Sequence, residues 1–355
     1  MGWVCICMVE KSMSFKKNNR YVMRSNQVVA ELDSSNNVLS FSKFAPYLIQ
    51  SNTFSLWEKS REVDVNRTNL RFLRRMLGLG SRDTTTALKK IYYASLFDTF
   101  WIKNVNSQLA WDDVKFTENK LFKHALCGDD ITEDLEFKSP EHSNIGSFEK
   151  GWKLRDNQWY LCKTGTKEEL WSELFSSKLL RKYLGDFVVE YWLEDNYIAC
   201  KNFIDQDRDE CLEHYNSIGG SDLEDNTVIA KFTECGLGQF VDNLKLMWYA
   251  DALVQNGDRH EFNFGVITSQ DTVRFAPIYD FNLSMVAYRY PTTYYRFEDV
   301  LIKSLKQLNF VKPFVITVND IKDIYLELLE ISEVKINSSM EQISEFILTA
   351  QEHFH

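Results

Sequence analysis

The amino-acid sequence predicts an α+β protein, with its strands gathered in the first part of the chain and helices dominating the remainder. Three observations carry this expectation. Short β-branched and aromatic runs bounded by turn residues occupy positions 21–45, 152–163 and 187–203. Apolar residues recur at helical spacing over 167–184, over 240–254 and again beyond Ile321. Between these regimes, Asp205 to Asn226 is rich in Asp, Glu, Gly and Ser, the composition of a loop or a boundary between lobes. The 355 residues are 44% hydrophobic and 14% aromatic, enough for a packed core in one large or two ordinary domains, so disorder is excluded as the main state.

The elements follow in order. The apolar stretch Trp3 to Val9 has no basic segment before it and no small-residue cleavage site after it, so no signal peptide is expected. It is also far shorter than the roughly 20 residues of a membrane-spanning helix. Met13 opens a more ordinary polar segment and competes with Met1 as the start. Residues 21–45 read as a small β-meander, broken at Ser25-Asn26-Gln27 and at Asp33 to Asn37. From Asn66 to about Ala94, Leu70, Phe72, Leu73, Met76 and Leu77 recur at helical spacing, with Arg71, Arg74 and Arg75 on a solvated face. The segment WKLRDNQWYLCK reads as a hairpin turning at Arg155-Asp156-Asn157, with Trp159 to Lys163 as its second strand. A helix is expected over 167–184, then strands over 187–193 and 197–203. Phe240 to Val254 is a strongly apolar helix, Phe264 to Phe275 a hairpin around Ser269-Gln270-Asp271, and the C-terminal segments around Ile321 and Ile343 two packing helices.

Charge and cysteine content exclude some functions. A net charge of -10 argues against broad electrostatic binding to nucleic acid or to an anionic membrane, because neutralising phosphates takes clustered Lys and Arg. Seven cysteines without a CxxC pair suit free thiols in a reducing cytosol, and Cys5 and Cys7 are too isolated for a metal site.

Chemistry concentrates in Gln255 to Gly265 and Phe275 to Phe281. Asp258 and Asn263 lie five residues apart in the loop between the apolar helix and a strand, and Asp280 is expected to end the next strand of the hairpin. Three oxygen-bearing side chains can converge there. Phosphoryl transfer uses such a set, one carboxylate to accept the proton of the attacking hydroxyl and carboxylate plus amide oxygens to hold magnesium. By itself the spacing is ambiguous, since Asp and Asn five residues apart recur by chance and Asn-Gly-Asp is an ordinary turn. Upstream, Lys163 ends a strand and Glu173 sits one helix later. The order glycine loop, lysine, helix glutamate, Asp258, Asn263, Asp280 is the protein-kinase order.

On these residues the chain resembles the HipA-like serine/threonine kinases, in particular a phage and mobile-element subgroup suggested by Phe100-Trp-Ile-Lys and Leu109 to Phe116. The resemblance runs from about residue 70 to 310 and implies a bilobal, protein-kinase-like fold. The chain is divided into an N-terminal region, 1–125, whose first 65 residues match the family only in being β-rich and are offered as a docking module without an assigned role; an N-lobe, 126–205; and a helical C-lobe, 206–355. The resemblance further implies ATP and Mg2+ as cofactors, with Asp258 as base, Lys163 pairing the phosphates, Glu173 orienting Lys163, and Asn263 and Asp280 as metal ligands. Nucleotide contacts fall on Ser143, Asn144, Gly146, Ser147 and Phe148 in the phosphate loop, on Lys201, Asn202 and Phe203 at a hinge around adenine, and on His260. Ser143 matches a self-phosphorylation site of the family, with Ser147 as its nearest competitor. No Walker A sequence is present, so phosphate cradling falls to the backbone amides of 144–148.

The implied activity is ATP-dependent phosphorylation of a protein hydroxyl in the cytoplasm, as a toxin or growth regulator with an antitoxin or DNA-binding partner protein. Direct nucleic-acid or membrane binding is not expected. The alternatives are a kinase-fold binding or DNA-associated accessory protein without transfer activity, and a lipid or small-molecule kinase, because substrate choice resides in loops the motifs do not describe.

Overall fold

The computed structural model describes residues 18–63, 84–127, 138–143, 149–285 and 305–354. The chain forms two compact units, one of residues 1–159, 204–219 and 266–274, the other of 160–203, 220–265 and 275–355.

In the first unit the expected meander is present as β1 (Arg20–Arg24), β2 (Gln27–Leu32) and β3 (Val38–Phe41), paired antiparallel in sequence. The turns form where the sequence places them. Ser25 and Asn36 adopt left-handed backbone, and the Asp33 carboxylate accepts the amides of Ser35 and Asn37. A strand that the periodicity analysis leaves out, β4 (Phe100–Asn104), pairs with the free side of β1 and gives the order β3-β2-β1-β4. Val22, Met23, Leu32, Phe100 and Trp101 are almost wholly buried around it. The helix expected over 66–94 is observed from Thr84 to Lys90; its earlier part, including Arg71, Arg74 and Arg75, lies outside the described residues.

Strands β5 (Lys150–Arg155) and β6 (Gln158–Lys163) form the expected hairpin, and Asp156 and Asn157 both take the positive φ that a tight two-residue turn requires. Within β6 the chain passes into the second unit. There β6 pairs antiparallel with β8 (Tyr197–Lys201), and β8 with β7 (Trp192–Glu194). Helix α1 (Lys167–Leu184) begins at a capping box between Thr166 and Glu169 and ends at Gly185, whose φ is 54°. The strand expected over 187–193 is a correction. Residues 185–187 form a 3-10 turn, Val188 bridges Ile278 in parallel, and only the last residues of the run reach β7. Phe187 and Val189 exchange backbone bonds with Ile278, so a partner distant in sequence claims the apolar run.

The acidic segment 205–226 holds a boundary between the units after Gly219, but as a loop it is a second correction, because it contains the strand β9 (Cys211–His214). All four of its residues are buried, Glu213 and His214 included, so its polar residues disguise a core strand as a loop. It belongs to a sheet of order β11-β10-β9 with β10 (Gly265–Thr268) and β11 (Val273–Phe275), the expected second hairpin. Arg24 is buried in this unit and donates to the Asp209 carboxylate at 2.9 Å and to the Thr268 carbonyl, while Ser25 and Thr99 donate to the other Asp209 oxygen. Arg61 forks onto Asp98 at 2.7 and 2.9 Å. Buried charge is costly unless paired and hydrogen-bonded, and these pairs meet that condition.

The second unit is completed by α2 (Asp225–Glu234), α3 (Val241–Val254), α4 (Val318–Leu329) and α5 (Met340–Glu352). From Met247 to Val254 every residue of α3 is buried, so this helix forms the centre of the helical core. Helix α3 packs on α5 and α5 on α4, with Tyr249 meeting the rings of Phe310, Phe314 and Phe354. Among the described residues, no helix is long and apolar enough to cross a membrane, and Cys162, Cys200, Cys211 and Cys235 are free thiols.

Glu213 is a buried carboxyl of the first unit. Burial, reinforced by Asp98, pushes its carboxyl up from 4.5 to about 8. A carboxyl raised on folding stabilises fully below its unfolded value, and that contribution is lost as pH rises from 4.5 towards 8, by at most about 1.4 kcal/mol per unit. Glu213→Gln should therefore flatten this part of the profile and be more stable than the wild type at pH 8.5. Urea unfolding at pH 5, 7 and 8.5 measures this; parallel profiles for the two proteins would contradict it.

Candidate active site

Lys163 is the last residue of β6, in register with Ile198 of β8, and is 6% exposed. Strand pairing fixes its Cα, and its ammonium extends to two carboxylates of the same unit. Glu173, on the second turn of α1 and wholly buried, lies 3.3 Å from Nζ through both oxygens; Asp280 Oδ1 lies at 2.7 Å. The Tyr191 ring centroid is 5.2 Å from the same Nζ. Glu173 Oε1 also accepts the Phe281 amide at 3.1 Å, and the Tyr191 hydroxyl accepts the Asp280 amide. One buried glutamate thus holds the lysine and the backbone beside the aspartate. Asp280 itself has φ 67°, a left-handed conformation that a non-glycine residue keeps only when its surroundings impose it.

The electrostatics follow from this packing. Burial works against the Lys163 charge, but Asp280 and Glu173 outweigh it and hold the ammonium above the ordinary lysine range. Burial raises the Glu173 carboxyl, with Lys163 opposing and Asp280 adding to the shift. The Tyr191 phenol is pushed well up by burial and then by Glu173. Cys200, one residue before the expected hinge, is buried, and its thiol is raised to about 12 chiefly by burial.

The loop after α3 starts at Gln255, whose left-handed backbone ends the helix. Asp258 is half-buried, and burial raises its carboxyl above the usual range, with His260 opposing and Asp280 adding to the rise. Its side-chain oxygens accept no hydrogen bond among the described residues. Asn263 is buried and donates its Nδ2 to the Asp258 carbonyl at 3.1 Å, which leaves its Oδ1 as an open acceptor. Arg259 donates to both Asp251 oxygens at 2.9 and 2.7 Å, to the Asn263 carbonyl at 2.9 Å and to the Tyr279 carbonyl at 2.6 Å. His260 Nδ1 accepts the Phe262 amide. Lys163, Glu173 and Asp280 are therefore in direct contact, and Asp258 and Asn263 are tied to each other and, through Arg259, to the segment carrying Asp280.

The remaining expected residues divide by position. In the second unit, Lys201 ends β8 exposed, Asn202 is buried, and the Phe203 ring lies 5.5 Å from that of Tyr279. Ser143 belongs to the first unit, in a 3-10 turn, 3% exposed and donating to the Pro140 carbonyl. Asn144, Gly146, Ser147 and Phe148 lie outside the described residues. Tyr191, Asp251 and Asn256 escape the sequence reading. A signal existed for Asp251, the single charge in an otherwise apolar stretch of α3. For Tyr191 there was none, since it sits in the mispredicted strand.

Asn263 Oδ1 and the Asp280 carboxylate offer amide and carboxylate oxygens on two segments that Arg259 joins. Such hard oxygen donors suit Mg2+, so the residues present fit that ion. No family model and no curated protein matches the sequence. Among solved structures, the chain is similar to HipA from the Shewanella oneidensis MR-1 toxin–antitoxin complex of HipA, HipB and operator DNA. The TM-score is 0.50 at 12% identity, over 94% of this chain and 97% of that one. The fold is that of a HipA-like kinase. The Helicobacter pylori proinflammatory kinase CtkA also matches, with a TM-score of 0.37 and 19% identity, over 57% of this chain and 88% of its own.

The contacts of Glu173 make it the most sensitive position for stability within the site. Glu173→Ala leaves the buried ammonium with one carboxylate and the Phe281 amide without its acceptor, and should lower the unfolding free energy by about 3 kcal/mol. Asp258→Asn, at a half-buried group whose side chain accepts no hydrogen bond, should stay within about 0.5 kcal/mol of the wild type. Urea titration followed by tryptophan fluorescence separates the two.

Proposed function

We propose that this chain is an ATP- and Mg2+-dependent phosphotransferase that phosphorylates serine or threonine hydroxyls of a protein. The observation that carries the proposal is the buried contact of Lys163 with Glu173 and Asp280, alongside the pairing of Asp258 with Asn263 in the loop after α3. In this reading Lys163 pairs the α/β phosphates and Glu173 orients it. Asp258, whose carboxylate is open and raised by burial, orients the substrate hydroxyl and takes its proton as the new P–O bond forms and the bond to the ADP leaving oxygen breaks. Asn263 and Asp280 would hold Mg2+, which when bound neutralises charge on the phosphates. Residues 143–148 would supply the phosphate loop, Lys201 to Phe203 the hinge around adenine, and His260 a further nucleotide contact. Phosphate placed on Ser143 or Ser147 would put negative charge beside the anionic nucleotide and weaken its binding.

The HipA neighbour was solved with HipB and operator DNA. That supports a protein partner of antitoxin type here; a growth-regulating role in the cytoplasm belongs to the same proposal. With a net charge of -10, any contact with DNA would be made by the partner. The reading of a kinase-fold protein without transfer activity is disfavoured by the presence of every charged group that transfer needs.

Incubation with γ-labelled ATP and Mg2+, alone and with a lysate of host cells, tests the proposal. Asp258→Asn should lower transfer at least 100-fold and change ATP affinity less than about threefold, whereas Asp280→Ala should abolish Mg2+-dependent nucleotide binding. Equal loss of ATP affinity in both variants would show that the roles are misassigned. Wild-type protein that binds ATP but transfers no label to protein, lipid or small molecule would sink the phosphotransferase reading.

A further inference from the structure

Between Asp258 and the metal segment lies a buried charge that the proposed chemistry does not use. The Arg259 side chain is 6% exposed and its partner Asp251 is fully buried. One carboxylate would satisfy an ordinary buried ion pair, yet this guanidinium spends its donors on three separate stretches of chain. Nε and Nη2 fork onto Asp251 in α3, and Nη1 is shared between the Asn263 and Tyr279 carbonyls. The remaining half of the arrangement is Asn256, whose Nδ2 donates to Asp251 Oδ1 at 3.0 Å and to the Asp280 carbonyl at 3.3 Å. The carbonyls of Tyr279 and Asp280 flank the left-handed φ of Asp280, and both are held from Asp251, one through Arg259 and one through Asn256. The Phe281 ring lies 5.7 Å from the guanidinium carbon.

Two consequences follow. The backbone strain at Asp280 is stabilised by bonds that originate on helix α3, the most buried helix of the unit. The same bonds fix the Asn263 carbonyl to the Tyr279 carbonyl through one rigid planar group, and so set the spacing of the two oxygen ligands. We infer that Arg259, clasped by Asp251, is the positioning residue that holds Asp280 and Asn263 in register with Asp258. This rests on the phosphotransferase reading for its consequence, but not for its geometry. Lysine cannot replace it, because an ammonium presents its donors from one point and cannot span a carboxylate and two carbonyls in a plane.

The test compares wild type with Arg259→Lys, which keeps the charge beside Asp251, and with Asp251→Asn, which keeps an acceptor while removing the charge. Far-UV circular dichroism selects the variants that fold. In nucleotide-free protein, hydrogen exchange of the peptide spanning 279–284 should be at least tenfold faster in either folded variant, because the Phe281 amide, which donates to Glu173, directly follows the backbone that the clasp holds. In the transfer assay, the Mg2+ concentration giving half-maximal rate should rise at least tenfold, with KM for ATP at saturating Mg2+ within about threefold of wild type. The double variant should be no worse than the worse single one, as expected for members of one unit. Unchanged exchange in Arg259→Lys, or faster exchange with an unchanged Mg2+ requirement, would overturn the inference. A wild type that neither binds nor turns over ATP would sink the phosphotransferase reading instead, and exchange in nucleotide-free protein would still decide whether the clasp holds Asp280.

Discussion

The arrangement of the second unit depends on an ammonium buried between two carboxylates. Lys163 cannot remain charged in the interior alone, and its ammonium opposes the rise that burial imposes on the Glu173 carboxyl. Each of the three comes from a different element, the end of β6, the second turn of α1 and the segment after β11. The electrostatic demand of one buried cation therefore dictates how a strand, a helix and a loop meet. The Glu173 bond to the Phe281 amide extends the demand to the backbone, so that the aspartate's position is set on both sides.

This has a chemical corollary. A lysine held by two carboxylates in a nearly dry setting is kept protonated and aimed, which a phosphate-pairing cation requires and a general base must avoid. Asp258 is in the opposite situation, half-buried, with an open carboxylate and its proton affinity raised by burial. Titratable groups of one unit are thus placed in different electrostatic settings by their surroundings alone. The segments that carry Asn263 and Asp280 are joined by a guanidinium, through the Asn263 and Tyr279 carbonyls, rather than by loop length alone.

Much of this was legible from residue order. The hairpin carrying Lys163, the helix carrying Glu173, the apolar helix before Asp258 and the hairpin before Asp280 all announce themselves through period and turn residues, which are local properties. What was hidden is non-local. Cys211–His214 forms a strand because its neighbours bury Glu213 and His214, and no local pattern reveals that. Val188 and Val189 satisfy a strand's apolar pattern but bond to Ile278, so the predicted strand shrinks to its end and Tyr191 is freed to reach the Asp280 amide. Arg259 was visible as a residue and not as a clasp, because its meaning lies in the three carbonyl and carboxylate partners that folding brings to it.

The central claim is that the buried lysine faces the phosphates of ATP. An acyl-phosphate derivative of ATP tests it directly, since a lysine amine beside the bound phosphates displaces the nucleotide phosphate and keeps the acyl group as an amide on Nζ. Peptide mass spectrometry should find Lys163 acylated, with the label suppressed by excess ATP and Mg2+ and lost in Asp280→Ala. Acylation confined to exposed lysines, or labelling of Lys163 that ATP does not diminish, would contradict the account.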